Sequence, residues 1–238
     1  MFVISFDGSG MVSSRRQGRK HGPMSDGTSE GHGMGFERRI FLKVGIGAFG
    51  AMMIGRVALV PGHAFALSEE AAQAHVRSAV DEVLELVQTQ ASTETKANRL
   101  EAIMAHAAAM PQIARFAAGR AWRDMNEEQR ARYTEAFAHF LATVYARRFQ
   151  DYAGEKVTFG RVRNAGKKGF LVETAITQPA AAPVAVSWLV NDRPGHIVIA
   201  DIIIEGVSMV TTQREEIGGM LDARGGDIEK LIRDLNAA

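Results

Sequence analysis

Beyond residue 66 the side chains able to do chemistry are few and scattered. His75, His106, His139 and His196 include no pair at i+3 or i+4, so none makes the helical clamp that holds a metal. Asp201 and Glu205 stand four residues apart in a segment of strand character. That spacing along a strand separates two carboxylates by about 13 Å, too far for an acid–base pair. Ser208 follows Gly206-Val207, with no activating neighbour in the sequence. The chain has no phosphate-binding G-x-x-x-x-G-K-[ST], no H-E-x-x-H, no G-x-S-x-G elbow and no Cys/His metal spacing. It also has no cysteine, which removes disulfides and thiol chemistry together. No catalytic residue, metal ligand or cofactor site is therefore assigned.

The elements around these residues read as helices, then strands, then helices. Ser68 fits an N-cap, with Glu69 and Glu70 in the first turn where they suit the helix dipole. Val76, Val80, Val83, Leu84 and Val87 then share one helical face. A break at Ser92–Thr95 precedes a second helix with Leu100, Ile103, Met104 and Ala107. Pro111 fits the first turn of a third helix that stops at Gly119. Asn126-Glu127-Glu128-Gln129 predicts a capping box opening a long helix with an aromatic face: Tyr133, Phe137, Phe140, Leu141, Val144, Tyr145 and Phe149.

The period then drops to 2. Val157 and Phe159 belong to a first strand; Phe170, Val172, Thr174 and Ile176 to a second; Val184, Val186, Trp188 and Val190 to a third. Strict alternation puts Val198, Ala200, Ile202 and Ile204 on one face of a fourth. Turn sequences at 164–169 and 191–195 imply an antiparallel meander. Helix returns near Thr212–Leu221 and after an Asp227 cap. The expected fold is α+β: a curved antiparallel four-stranded sheet packed on one face by several helices, with an apolar cavity between.

The first 66 residues have a different character. Arg38-Arg39-Ile40-Phe41-Leu42-Lys43 resembles the twin-arginine export motif R-R-x-F-L-K. A Gly-rich, mildly apolar run follows to about Gly55, then Pro61-Gly62 and Ala64-Phe65-Ala66. This is the order of a signal peptide cleaved after Ala66. The apolar run is short for a membrane span and is closed by Arg56. Residues 1–36 show no apolar period and read as disordered, or as a start-site artefact with Met34 the true start. The expected organisation is thus 1–36, a signal peptide over 37–66 and one domain over 67–238. That domain carries 20 basic against 23 acidic residues, a net charge of −3. Weak acidity argues against nucleic acid as partner and against strong attraction to an anionic membrane surface.

Three stretches carry a resemblance to a known family. The first is Ile113-Ala114-Arg115-Phe116 with Gly119 and Trp122-Arg123. The second is Glu128-Gln129-Arg130 with Phe137, Phe140 and Tyr145, then Tyr152-Ala153-Gly154. The third, and most specific, is Ile199-Ala200-Asp201-Ile202-Ile203-Ile204-Glu205-Gly206-Val207-Ser208-Met209-Val210. Together with Gly226-Asp227-Ile228 they resemble the MlaC / toluene-tolerance proteins, periplasmic components of a lipid-transport system.

The resemblance implies a periplasmic carrier that holds phospholipid as cargo, shuttles it between the membranes and maintains outer-membrane lipid asymmetry. Its partners would be an inner-membrane ABC transporter complex and an outer-membrane lipoprotein–porin complex. A branch of similar proteins is associated with hopanoids, which leaves a hopanoid carrier as the alternative. A diacyl lipid has about 30 chain carbons, and exposing them to water costs roughly 20–25 kcal/mol, so the cargo needs a deep apolar slot. The slot would be lined by Met104, Ile113, Phe116, Phe137, Leu141 and Tyr145 from helices. Val157, Phe159, Val172, Val186, Trp188, Ile202 and Ile204 would line it from strands. Arg147, Arg148, Lys167 and Lys168 are candidates for the head-group mouth or for docking. Two other classes stay open: a small-pocket enzyme of cone-shaped α+β fold, with His139 its best acid–base candidate, and a filled-core structural adaptor.

Overall fold

The computed structural model describes residues 67–149, 154–178, 182–193 and 195–238. The signal-peptide reading, the Ala66 cleavage site, the reading of residues 1–36, and Tyr152-Ala153 lie outside the described residues.

Five helices come first: α1 (Glu69–Gln88), α2 (Thr93–Ala107), α3 (Met110–Ala118), the single turn α4 (Ala121–Asp124) and α5 (Glu127–Arg148). Side-chain caps start the longer ones. Ser68 accepts from Ala71 N at 3.1 Å and Ser92 from Thr95 N at 3.2 Å. At α5 the capping box closes both ways, Gln129 N to Asn126 Oδ1 at 2.8 Å and Asn126 N to Gln129 Oε1 at 3.0 Å. Gly119 ends α3 with a φ of 59°, which favours a residue without Cβ.

The strands are β1 (Lys156–Asn164), β2 (Phe170–Thr177), β3 (Val184–Arg193), β4 (His196–Ile204) and β5 (Val207–Ser208). They pair antiparallel in chain order. The fifth is a two-residue strand turned back on β4 through Glu205 (φ 49°) and Gly206 (φ 82°). A two-residue turn of this handedness matches strand twist. Its shortness hides it from periodicity, which is why only four strands are legible in the sequence. Gly169 closes the β1–β2 connection where a Cβ would stand 2.0 Å from the Val190 carbonyl oxygen.

The face assignment of β4 needs correction. The pairing of β3 with β4 slips between Leu189 and Val190: Leu189 faces Asp201, but Val190 faces Ile199. The extra residue on β4 is a bulge, and it reverses the alternation. Ile199 therefore joins the buried face with Ile202 and Ile204, whereas Val198 and Ala200 do not. A second slip lies between Phe159 and Val162 on β1.

The last helices are α6 (Met209–Asp222) and α7 (Ile228–Asn236), capped by Ser208 and Asp227. α6 begins three residues before the expected Thr212, because Ser208 serves as its N-cap. Helix α1 lies across β1 to β4, with Val76 and Val80 against Val172, Val190 and Ile199. Helices α3 to α7 build a second core around Tyr133, Phe137, Ile217, Leu231 and Leu235. Among the described residues no helix is long and apolar enough to cross a membrane.

Candidate functional site

Between the sheet and the helices lies a cavity of about 320 Å³. Helix α1 contributes Ala79, Val80, Val83, Leu84 and Val87, and α2 contributes Leu100, Ile103, Met104 and Ala107. Met110 and Ile113 come from α3, and Leu141, Tyr145 and Phe149 from the end of α5 and its cap. The sheet supplies Val157, Ile176, Trp188, Ile199, Ile202 and Ile204, and α6 closes one side with Met209, Val210 and Gln213. Glu155 and Asp201 are the acidic lining residues, and no Lys, Arg or His is among the described lining residues. The wall comes from nine elements, five helices and four strands, that share no local sequence, so only the tertiary fold assembles it.

Polar groups on this wall are mostly spent internally. Trp188 Nε1 donates to Thr174 Oγ1 at 2.9 Å, and Thr174 Oγ1 donates to the Val186 carbonyl at 3.3 Å. The indole thus offers the cavity its apolar ring. Asp201 Oδ2 accepts from Ser208 Oγ at 2.6 Å and Oδ1 from Val210 N at 3.1 Å. Ser208 therefore does have a carboxylate neighbour, contrary to the sequence reading. Its oxygen also accepts Thr211 N at 3.2 Å, so the pair caps α6 and stands without a histidine. Glu205 lies beyond β4, with Oε1 accepting Ala185 N. The two carboxylates serve separate backbone amides. Burial pushes the Tyr145 hydroxyl above its ordinary pKa; nearby Arg148 draws it down and Glu216 pushes it up. The Gln213 Oε1 atom is buried with no protein partner.

Eight of the expected lining residues stand on this wall: Met104, Ile113, Leu141, Tyr145, Val157, Trp188, Ile202 and Ile204. Five stand elsewhere. Phe137 is enclosed in the helical core, stacked on Tyr133 at 5.9 Å. Phe116 is 44% exposed, with the Arg214 guanidinium 5.0 Å from its ring. Phe159 lies under Arg77 at 4.0 Å. Val172 and Val186 are on the inward sheet face but fully packed, Val172 against α1. Val83, Leu84, Val87, Leu100 and Ile103 were legible as apolar helix faces, yet nothing local distinguishes a face that borders space from one that fills it.

The expected charged positions also disperse. Arg147 donates to the Ala238 carbonyl at 2.7 Å, Arg148 lies 5.5 Å from the Tyr145 ring, and Lys167 and Lys168 sit in a 3-10 turn between β1 and β2. None of the four lines the cavity. His139 pairs with Glu101 at 3.3 Å, His106 with Glu82 at 3.2 Å, and His75 donates to the Ala107 carbonyl at 2.9 Å. None of these histidines reaches the cavity wall. Among the described residues no group of three or more His, Asp or Glu could hold a metal.

Fold and site together define a class: an α+β binding protein whose sheet and helices enclose an apolar cavity. Within that class, the model of the MlaC protein family matches residues 77–237, and the chain belongs to this family. A solved structure with the same fold is that of the phospholipid-binding protein from Ralstonia solanacearum in complex with a phospholipid. It aligns with a TM-score of 0.60 at 23% identity, over 70% of this chain and 95% of that one.

Proposed function

We propose that this protein is a periplasmic lipid carrier that holds the acyl chains of one phospholipid in its cavity. The observation that carries the reading is the cavity itself: about 320 Å³ bounded almost wholly by aliphatic side chains. At about 30 Å³ for each water-sized group in a liquid, it takes on the order of ten groups the size of a methylene. That accommodates part of the hydrocarbon of a diacyl lipid, each buried CH₂ contributing about 0.8 kcal/mol, and the rest of the chains needs the slot to widen on loading. Absence of cations from the described lining disfavours sinking an anionic group among the aliphatics. The charged head therefore stays outside this cavity. Membership of the MlaC family and the fold shared with a phospholipid-binding protein support the same reading.

The carrier is exported through the twin-arginine signal over 37–66 and cleaved after Ala66. It exchanges cargo with an inner-membrane ABC transporter complex and an outer-membrane lipoprotein–porin complex, and so serves outer-membrane lipid asymmetry. The test is native mass spectrometry with lipid extraction on the protein recovered from a bacterial periplasm. A chain beginning at Leu67 with about one diacyl phospholipid bound is the expected result. A bound hopanoid would reassign the cargo, and a folded protein that never acquires lipid would overturn the carrier reading.

A further inference from the structure

The apolar cavity ends against a second, polar one. Val87 and Phe149 wall both, and the second is otherwise lined by Gln88, Thr89, Gln90, Ala91 and Lys96. Among the described lining residues of the two cavities, Lys96 is the positively charged one. It is only 7% exposed, an unusual position for a lysine. Its Nζ donates to the Val87 carbonyl at 3.2 Å, and an ammonium carries three donors. A buried ammonium beside a neutral carbonyl is stabilised strongly by an anion, which the polar cavity has room to admit.

We propose that this second cavity seats the phosphodiester of the bound lipid. Lys96 donates to a phosphate oxygen, and the Gln88 and Gln90 amides provide neutral donors around it. The site rests on the carrier reading and deepens it by fixing the cargo's orientation. The chains run from Val87 and Phe149 into the slot, and the phosphate stays at the α1–α2 connection. The competing role of Lys96 is structural, since Val87 is in the last turn of α1 and a lysine there satisfies a free helix carbonyl.

The test compares the delipidated full chain with its Lys96→Gln and Lys96→Arg variants. Each is mixed with vesicles containing phosphatidylglycerol, or the diacylglycerol with the same chains, and bound lipid is read by native mass spectrometry. Wild type is expected to prefer the phospholipid. Lys96→Gln should lose that preference by about tenfold, the scale of one charge-assisted hydrogen bond, with diacylglycerol uptake unchanged, and Lys96→Arg should retain it. Equal uptake of the two lipids by wild type would overturn the phosphate site while leaving the carrier reading intact, and this arm stands even if Lys96→Gln does not fold. Parallel loss of both lipids in Lys96→Gln would make Lys96 a helix cap only. Inorganic phosphate binding with the same affinity to loaded and empty protein would overturn the lipid assignment of the site. Uptake of neither lipid by wild type would sink the carrier reading, and the site with it.

Discussion

Helix α5 carries one apolar stripe at strict i+4 spacing, Tyr133, Phe137, Leu141, Tyr145 and Phe149, whose two ends meet opposite fates. At its start Tyr133 meets Trp122 edge-on at 6.3 Å and Phe137 stacked at 5.9 Å. There Leu231, Ile232 and Leu235 of α7 complete a filled core. From Leu141 onward the same stripe borders the cavity, facing Val83 and Val87 of α1 and Ile103 and Met104 of α2. The difference lies in the opposing elements. Trp122 and the leucines of α7 close the first end, while the valines of α1 stand opposite the second, where space remains. Burial of a stripe is set by its own periodicity; filling is set by what stands opposite.

The largest effect should come from truncating the filled end. Phe137→Ala is expected to cost about 3–5 kcal/mol of unfolding free energy by chemical denaturation, because its surroundings are closely packed. Tyr145→Leu at the open end should cost less than about 1.5 kcal/mol, since part of that ring already borders space. Equal costs would mean that the two ends are packed alike and would break the comparison. Val83→Trp is the converse experiment. An indole directed into the slot should cut bound lipid several-fold, read by native mass spectrometry, while stability moves by no more than about 1–2 kcal/mol. Unchanged lipid uptake would place the cargo elsewhere.

The same contrast explains what the sequence could show. The α+β order, the caps at Ser68, Asn126 and Asp227 and the helical faces follow from short-range patterns, and the structure has them. Phe116 and Phe137 looked like cavity lining because aromatic residues on an apolar face imply burial, yet one lies at the surface, partly covered by Arg214, and the other is core. The β4 bulge was illegible because Ile197 to Ile204 is apolar at nearly every position, so no alternation reveals the slip. Ile199 entered the cavity wall by that slip. Lys96 gave no signal either, being one lysine in a polar helix start. Its burial depends on α1 and the end of α5 folding over it.

Smaller effects sharpen the account of the filled end. The Tyr133 hydroxyl is buried there with no partner, and burial pushes its pKa well up. Removing an unsatisfied polar atom while keeping the ring should leave stability unchanged or raise it by up to about 1 kcal/mol. Tyr133→Phe tests this by thermal denaturation. A loss above about 1 kcal/mol would mean that the hydroxyl is satisfied and the filled end is less dry than its packing implies.

The smallest effect is electrostatic and belongs to the outer rim of that end. Glu229 at the start of α7 accepts from Arg132 at 2.6 Å and from Gln129 at 2.9 Å, both on the first turns of α5. The hydrogen bond from Arg132, then that from Gln129, hold its carboxyl below the ordinary range. A carboxylate depressed in the folded state adds stability that is present above its unfolded pKa and lost as pH falls through the folded one. Tm should therefore decline on acidification through and below the ordinary glutamate range, and Glu229→Gln should shallow that decline by lowering Tm slightly at neutral pH while leaving the acid end unchanged. The pair is solvent-exposed, so added salt should shrink the difference further. An acid limb of identical slope in Glu229→Gln would mean that the α5–α7 junction is held by its apolar packing alone.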